Sequence, residues 1–157
     1  MSVTVKIEGL KELNDALKKL PEAVAKKHLK AAVGGASGII KKQVAANVAM
    51  QFTERTGTLR RAVYSAAIKE LSTAYSQTYF VGVRSGKKFQ ARKLKSGKVA
   101  GSRDAYYWKF LEFGDSKIRA RPFLRPAFEQ KKMEAAEEIK KRLALAIEKE
   151  SKAVGKK

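Results

Sequence analysis

The chain has 157 residues, with 35 Lys and Arg against 15 Asp and Glu, a formal net charge of +20, no cysteine and a single histidine. That length suits one domain able to bury roughly two-thirds of the surface its unfolded form exposes, and the surplus of positive charge attracts polyanions. Without cysteine there is no disulfide framework or thiolate metal site; no apolar run after Met1 suggests a signal peptide and no segment is long enough to span a bilayer, so the expectation is a protein made in a reducing cytoplasm with no membrane partner.

In chain order, Val3, Val5 and Ile7 alternate and predict a short strand, followed by a short helix carrying Leu10, Leu13, Leu17 and Leu20. Pro21 starts a second helix. Its stripe of Leu29, Val33, Ala36, Ile40, Val44 and Val48 advances by three or four residues and lies on one face. Gly34, Gly35 and Gly38 each lower helix propensity by up to about 1 kcal/mol relative to alanine, which points to close approach of another backbone, from this chain or a neighbouring subunit. After a polar loop from Gln51 to Thr58, the segments Leu59 to Leu71 and Ser76 to Arg84 alternate as an antiparallel pair, joined by a turn at Ser72-Thr73-Ala74. Tyr79, Val81 and Val83 would share one side, and Gly57 and Leu59 would fix entry into the first strand.

From Arg84 to Arg103 there are eight basic residues and no acidic one, with glycines and serines that predict a mobile loop, an insertion at 85–104. Arg84, Lys87, Lys88, Arg92, Lys93, Lys95, Lys98 and Arg103 make it the candidate anion-binding element. The run from Lys131 to Lys157 instead mixes glutamates with its lysines, as a solvated helix does.

Between Ala105 and Phe128 lie seven of the chain's thirteen aromatic residues. Tyr106 to Phe113 reads as a short helix closed by Gly114 in a left-handed cap. Pro122-Phe123-Leu124-Arg125-Pro126 then runs extended into a last helix beginning near Pro126, a proline at the first helical position. Phe128, Ala135, Ile139, Leu143 and Ile147 form its buried stripe, and the helix would extend roughly 30 Å. The sum is an α+β fold, a single domain over 1–157 in which a small, mainly antiparallel sheet packs against one long helix and a C-terminal helix. Trp108 and Phe113 suit core and subunit contact equally, since aromatic residues dominate both. Phe123 and Leu124, flanked by prolines and arginines, lean toward an interface where Arg119, Arg121 and Arg125 would pair with carboxylates in a geometry lysine does not reproduce. Tyr107, Glu112, Gly114, Pro122 and Pro126 read as structural, Glu112 through hydrogen bonding.

Four blocks stand in order: VKIEGLKEL from Val5 to Leu13, TGTLR from Thr56 to Arg60, YWKFLEFG from Tyr107 to Gly114, and RPFLRPAFE from Arg121 to Glu129. Together they resemble the family of tail components of long-tailed bacteriophages, which includes tail-completion proteins and is similar to the minor tail protein Z of lambda-like phages. In that family threonine usually follows the EFG triplet, where this chain has Asp115, and the basic insertion is longer than the minimal family pattern. The resemblance implies a non-enzymatic virion protein of the neck or tail end, synthesised in the host cytoplasm. It would act in tail completion or head-tail joining as an oligomeric ring, its partners being copies of itself and other neck or tail proteins.

No residue pattern argues for an enzyme, metal or cofactor. His28 sits in a lysine-rich helical turn without a second histidine, and reads as a solvated helix residue. The run Gly82 to Lys88 has the wrong glycine spacing for a phosphate loop, and the run Gly34 to Gly38 follows no strand, as a dinucleotide fingerprint would. Glu112 and Asp115 have no base or nucleophile to complete a catalytic pair. The alternative function is a basic nucleic-acid-binding protein using the 84–103 loop, in nonspecific DNA contact that weakens with salt. A third is docking of that loop on an acidic face of another phage component.

Overall fold

The computed structural model describes residues 10–53, 57–93 and 99–154; the strand expected at Val3 to Ile7 lies outside them. Its elements are α1 (Leu10–Lys18), α2 (Glu22–Gln51), α3 (Thr58–Ala62), β1 (Val63–Ala67), β2 (Tyr79–Val83), β3 (Arg92–Lys93), β4 (Val99–Ala100), α4 (Trp108–Phe113) and α5 (Leu124–Val154). The fold is α+β: β1 and β2 form a two-stranded antiparallel sheet that packs against α2 and α5. In a second small sheet, β3 and β4 pair antiparallel with Arg92 opposite Ala100 and Lys93 opposite Val99. Among the described residues no helix is long and apolar enough to cross a membrane.

The chain divides into two compact units. The first holds Met1–Ile39, Ala66–Phe80 and Lys131–Lys157. Here Pro21, with φ preset for a helix start, accepts from Val24 and Ala25 N–H at 2.9 and 3.0 Å and begins α2. Leu17, Ala25, Leu29, Ala32 and Leu143 are buried together, with Val33 and Ile139 packed beside them. The three-and-four spacing along α2 and α5 thus buries one stripe of each helix. An apolar recess of about 360 Å³ opens between Leu13, Leu17, Leu29, Tyr75 and Ile139.

What the helical glycines admit is not another backbone but two side chains. A Cβ on Gly34 would stand 2.9 Å from the Tyr79 hydroxyl, and one on Gly35 would stand 2.6 Å from the Arg142 guanidinium carbon; Gly38 meets nothing within 4 Å. The room at Gly34 lets the Tyr79 hydroxyl donate to the Lys30 carbonyl at 3.2 Å. His28 is not a solvated residue either: it is half-buried, its Nε2 2.9 Å from Glu150 Oε1. The β1–β2 connection is longer than a three-residue turn, with a 3₁₀ turn at Lys69–Leu71. Ser72 staples it, its hydroxyl donating to the Ile68 carbonyl at 2.6 Å and accepting from Thr78 N–H at 3.1 Å.

The second unit holds Ile40–Ser65 and Val81–Gln130. Its core gathers Val44 and Val48 of α2, Leu59 and Ala62 of α3, Val63 and Val83 of the sheet, and Phe123 and Ala127 around the start of α5. Leu59 to Ala62, expected as strand, is helical. The reason is spacing: a helix brings residues three apart to one face, whereas a strand would send Leu59 and Ala62 to opposite faces, and both are buried. Gly57, at φ 61° and ψ 13°, therefore opens α3 rather than a strand.

α5 starts at Leu124, two residues earlier than expected, and its 31 residues span about 46 Å rather than 30 Å. Leu124 is helical, not extended, and Pro126 is the third helical residue, a position whose N–H has no partner within a helix in any case. In the stripe expected along it, Ala135 and Leu143 are buried, Ile139 and Ile147 half-buried, and Phe128 exposed.

Candidate functional site

The segment from Ala105 to Ala127 folds as two helix ends tied by one carboxylate. Glu112 lies on the inner face of α4 and is 7 % exposed. Its Oε2 accepts from Phe123 N–H at 2.7 Å and Leu124 N–H at 3.0 Å, and its Oε1 accepts from Arg125 N–H at 3.1 Å. A helix begins with four N–H groups that have no partner inside it. In α5 three of those four belong to Phe123, Leu124 and Arg125, and the fourth is absent because Pro126 has no N–H. One side chain satisfies the whole set, and its negative charge sits where the helix dipole favours it. The preceding carbonyls are held as well, Asn47 Nδ2 donating to Phe123 O at 3.2 Å and Gln51 Nε2 to Pro122 O at 3.1 Å.

The loop between the two helices is closed at its base by Arg121 N–H donating to Leu111 O at 2.7 Å and, nearer its tip, by Asp115 N–H donating to Ile118 O at 2.9 Å. Asp115 Oδ1 takes the Ser116 N–H at 2.7 Å. Gly114 has φ 78° and ψ 174°, a positive φ outside the left-handed helical cap expected of it. A Cβ there would stand 3.0 Å from the Ala120 nitrogen and 3.1 Å from the Ile118 oxygen. Gly114→Ala is expected to cost about 2 kcal/mol through backbone strain, read as a fall in Tm of roughly 5 °C in a thermal melt.

Phe110 and Phe113, three residues apart on α4, share a face, and they are exposed together with Tyr106 in the turn just before the helix: Tyr106 is 71 % and Phe113 66 % exposed. The opposite side of the segment, through Tyr107, Trp108 and Leu111, packs on the core. Trp108 is half-buried with its ring 6.4 Å from that of Phe113, and burial, aided by neighbouring Tyr106, pushes the Tyr107 phenol pKa up. Ile118 and the cations Lys109, Lys117, Arg119, Arg121 and Arg125 of the same segment are exposed as well. The three arginines form no ion pair with a described residue. Exposed aromatic residues gathered in one short segment make it the candidate interaction site of the chain.

Phe123 is not part of that surface. It is fully buried, its ring 5.9 Å from Phe52 in an edge-to-face pair, and Leu124 is half-buried against the same core. Pro122 is exposed and Pro126 half-buried. Tyr106 and Ile118, to which the sequence reading gave no role, and Phe110, which read as core, are exposed. For Phe110 the available signal was helical phase: it lies three residues before Phe113 and two after the half-buried Trp108.

The basic insertion is folded where it is described, not a plain mobile excursion. A 3₁₀ turn spans Lys87–Phe89, and β3 and β4 form a hairpin. Its base is sealed by Arg103 N–H donating to Phe89 O at 2.7 Å and Ala105 N–H to Arg84 O at 3.1 Å. Asp104 accepts from Gly86 N–H at 2.8 Å and from Gln90 Nε2 at 3.3 Å. The Arg84 guanidinium lies 5.0 Å from the ring centre of Tyr64 and 5.7 Å from that of Phe89, and Lys88 Nζ lies 5.1 Å from Phe89. Lys87, Lys88 and Arg103 are exposed; Lys95 and Lys98 lie outside the described residues, as do the side chains of Arg92 and Lys93. Among the described residues no group of three His, Asp or Glu is placed to hold a metal ion.

Compared with known proteins, the family model described as "Bacteriophage HK97-gp10, putative tail-component" matches residues 11–114. No curated protein and no solved structure matches the chain, so the likeness to minor tail protein Z rests on the sequence blocks alone.

Proposed function

Because the chain belongs to the HK97-gp10-like family of bacteriophage tail components, whose role is structural, we propose that it acts in tail completion or head-tail joining at the neck or tail end of the virion, as one subunit of a ring. The observation that carries this reading is the exposure of Tyr106, Phe110 and Phe113 on the same segment as Arg119, Arg121 and Arg125, which are exposed and form no ion pair with a described residue. Aromatic residues and arginine are the types that dominate binding energy at interfaces. A contact between this face and a different patch of the next copy is heterologous, and such contacts close into a ring when the rotation per subunit divides a full turn. The partners are copies of the chain and other neck or tail proteins. We take residues 1–157 as one domain, since α2, β1, β2 and α5 each carry residues of both compact units.

Phe113→Asp tests the reading. As a surface change it should alter stability by less than about 0.5 kcal/mol while abolishing the assembled species in sedimentation velocity and in electron micrographs. Phage carrying it should accumulate filled heads and free tails separately if joining is the step served, or tubes of uncontrolled length if termination is. Assembly and infectivity unchanged from the parent would refute it.

A further inference from the structure

We propose that the basic arm holds the phosphate backbone of double-stranded DNA without reading its sequence, through Arg84, Lys87, Lys88 and Arg103. This goes beyond the assembly reading and stands without it. The folded base of the arm gathers these four cations: Arg84, Lys87 and Lys88 lie within five residues, and the hydrogen bond from Arg103 N–H to Phe89 O sets Arg103 beside them. None of the four forms an ion pair with a described residue. The adjacent acidic side chain, Asp104, hydrogen-bonds Gly86 and Gln90 and offsets one of the four charges; the cluster stays positive, with Lys87, Lys88 and Arg103 exposed and Arg84 half-buried.

The aromatic residues beside these cations, Phe89 of the arm and Tyr64 of β1, decide what kind of nucleic acid fits. Single-strand binders stack bases on open aromatic faces, but here Arg84 covers Tyr64 and shares Phe89 with Lys88. The rings are engaged by cations, which keeps Arg84 in place and leaves only charge to offer a ligand. Charge alone recognises backbone phosphates, and recognition of that kind is sequence-independent.

The test is fluorescence anisotropy of the full chain with two labelled DNA duplexes of unrelated sequence, between 50 and 200 mM NaCl. Four phosphate contacts predict a slope of log affinity against log salt of about −3.6 and a loss on the order of 100-fold across that range, the same for both sequences. The triple variant Lys87→Gln, Lys88→Gln, Arg103→Gln changes only exposed side chains; its slope should fall to about −1. A control of equal net charge, Lys26→Gln, Lys27→Gln, Lys141→Gln, should keep the parental slope. The proposal is overturned if the control loses as much as the arm variant, if the arm variant binds as the parent does, or if single-stranded DNA of equal length binds more tightly than duplex. Poly-L-glutamate binding as tightly as the duplex, with the same loss in the arm variant, would also overturn it and assign the arm to an acidic protein surface.

Discussion

Glu112→Ala is expected to lower stability by about 3 kcal/mol, measured by urea unfolding with the m-value unchanged. Hydrogen bonds to a charged group are worth about 1.5–3 kcal/mol each, and loss of a helix cap about 1 kcal/mol. The three bonds of Glu112 share one carboxylate, so their losses are not additive. Phe123 N–H is buried and would be orphaned, while the N–H groups of Leu124 and Arg125 are only partly buried and gain water in exchange. The expected loss is large against a typical total of about 5–15 kcal/mol. Glu112→Gln keeps one acceptor oxygen on a side chain of the same length and should lose about half as much. Hydrogen exchange at Phe123, Leu124 and Arg125 should accelerate in the alanine variant before other amides of α5 do. An alanine variant within 1 kcal/mol of the parent would mean that the carboxylate does not hold the start of α5.

Phe123→Ala is expected to cost about 4 kcal/mol, the usual range for a fully buried phenylalanine being about 3–5 kcal/mol. The ring is fully buried among Val44, Val48, Ala105 and Ala127 and meets Phe52 edge to face, a pairing that adds about 1 kcal/mol beyond burial. A double-mutant cycle with Phe52→Ala should recover that coupling. Phe113→Ala, by contrast, should change stability by less than about 0.5 kcal/mol. If the two phenylalanines ranked the other way, the assignment of Phe123 to the core and Phe113 to the open face would be wrong. One practical result is that an aspartate at position 123 would unfold the second unit rather than test an interface; position 113 is the one to charge.

These two residues also show where sequence reasoning ran out. Long helical periodicity was readable: the stripe from Leu29 to Val48 repeats often enough for its face to be assigned, and the structure buries or half-buries all six residues. Phe123 was not, because the neighbouring prolines and arginines describe the local chain, whereas its depth is set by Phe52 and Asn47, more than seventy residues away. The same distance hid the partner of His28, which is Glu150. α3 has five residues, too few for a period to show against the alternation that follows it. The basic insertion has the composition of a loose loop, yet its described part is held by backbone hydrogen bonds, which composition does not record. Along the 106–113 run the aromatic residues were legible as important, but which of them face outward depended on a helical phase set by the buried Glu112.

The clamped loop after α4 has a consequence for how this surface can evolve. Gly114, Leu111 and Arg121 through their backbone and Glu112 through its carboxylate fix its two ends, so the tip from Ser116 to Arg119 contributes little to holding the fold. Exchanges there should be nearly free in stability and felt instead by whatever docks on it. A virus meeting an altered binding partner could retune this tip while its anchors stay constant. Random mutagenesis should accordingly recover many viable changes at the tip and almost none at the anchors.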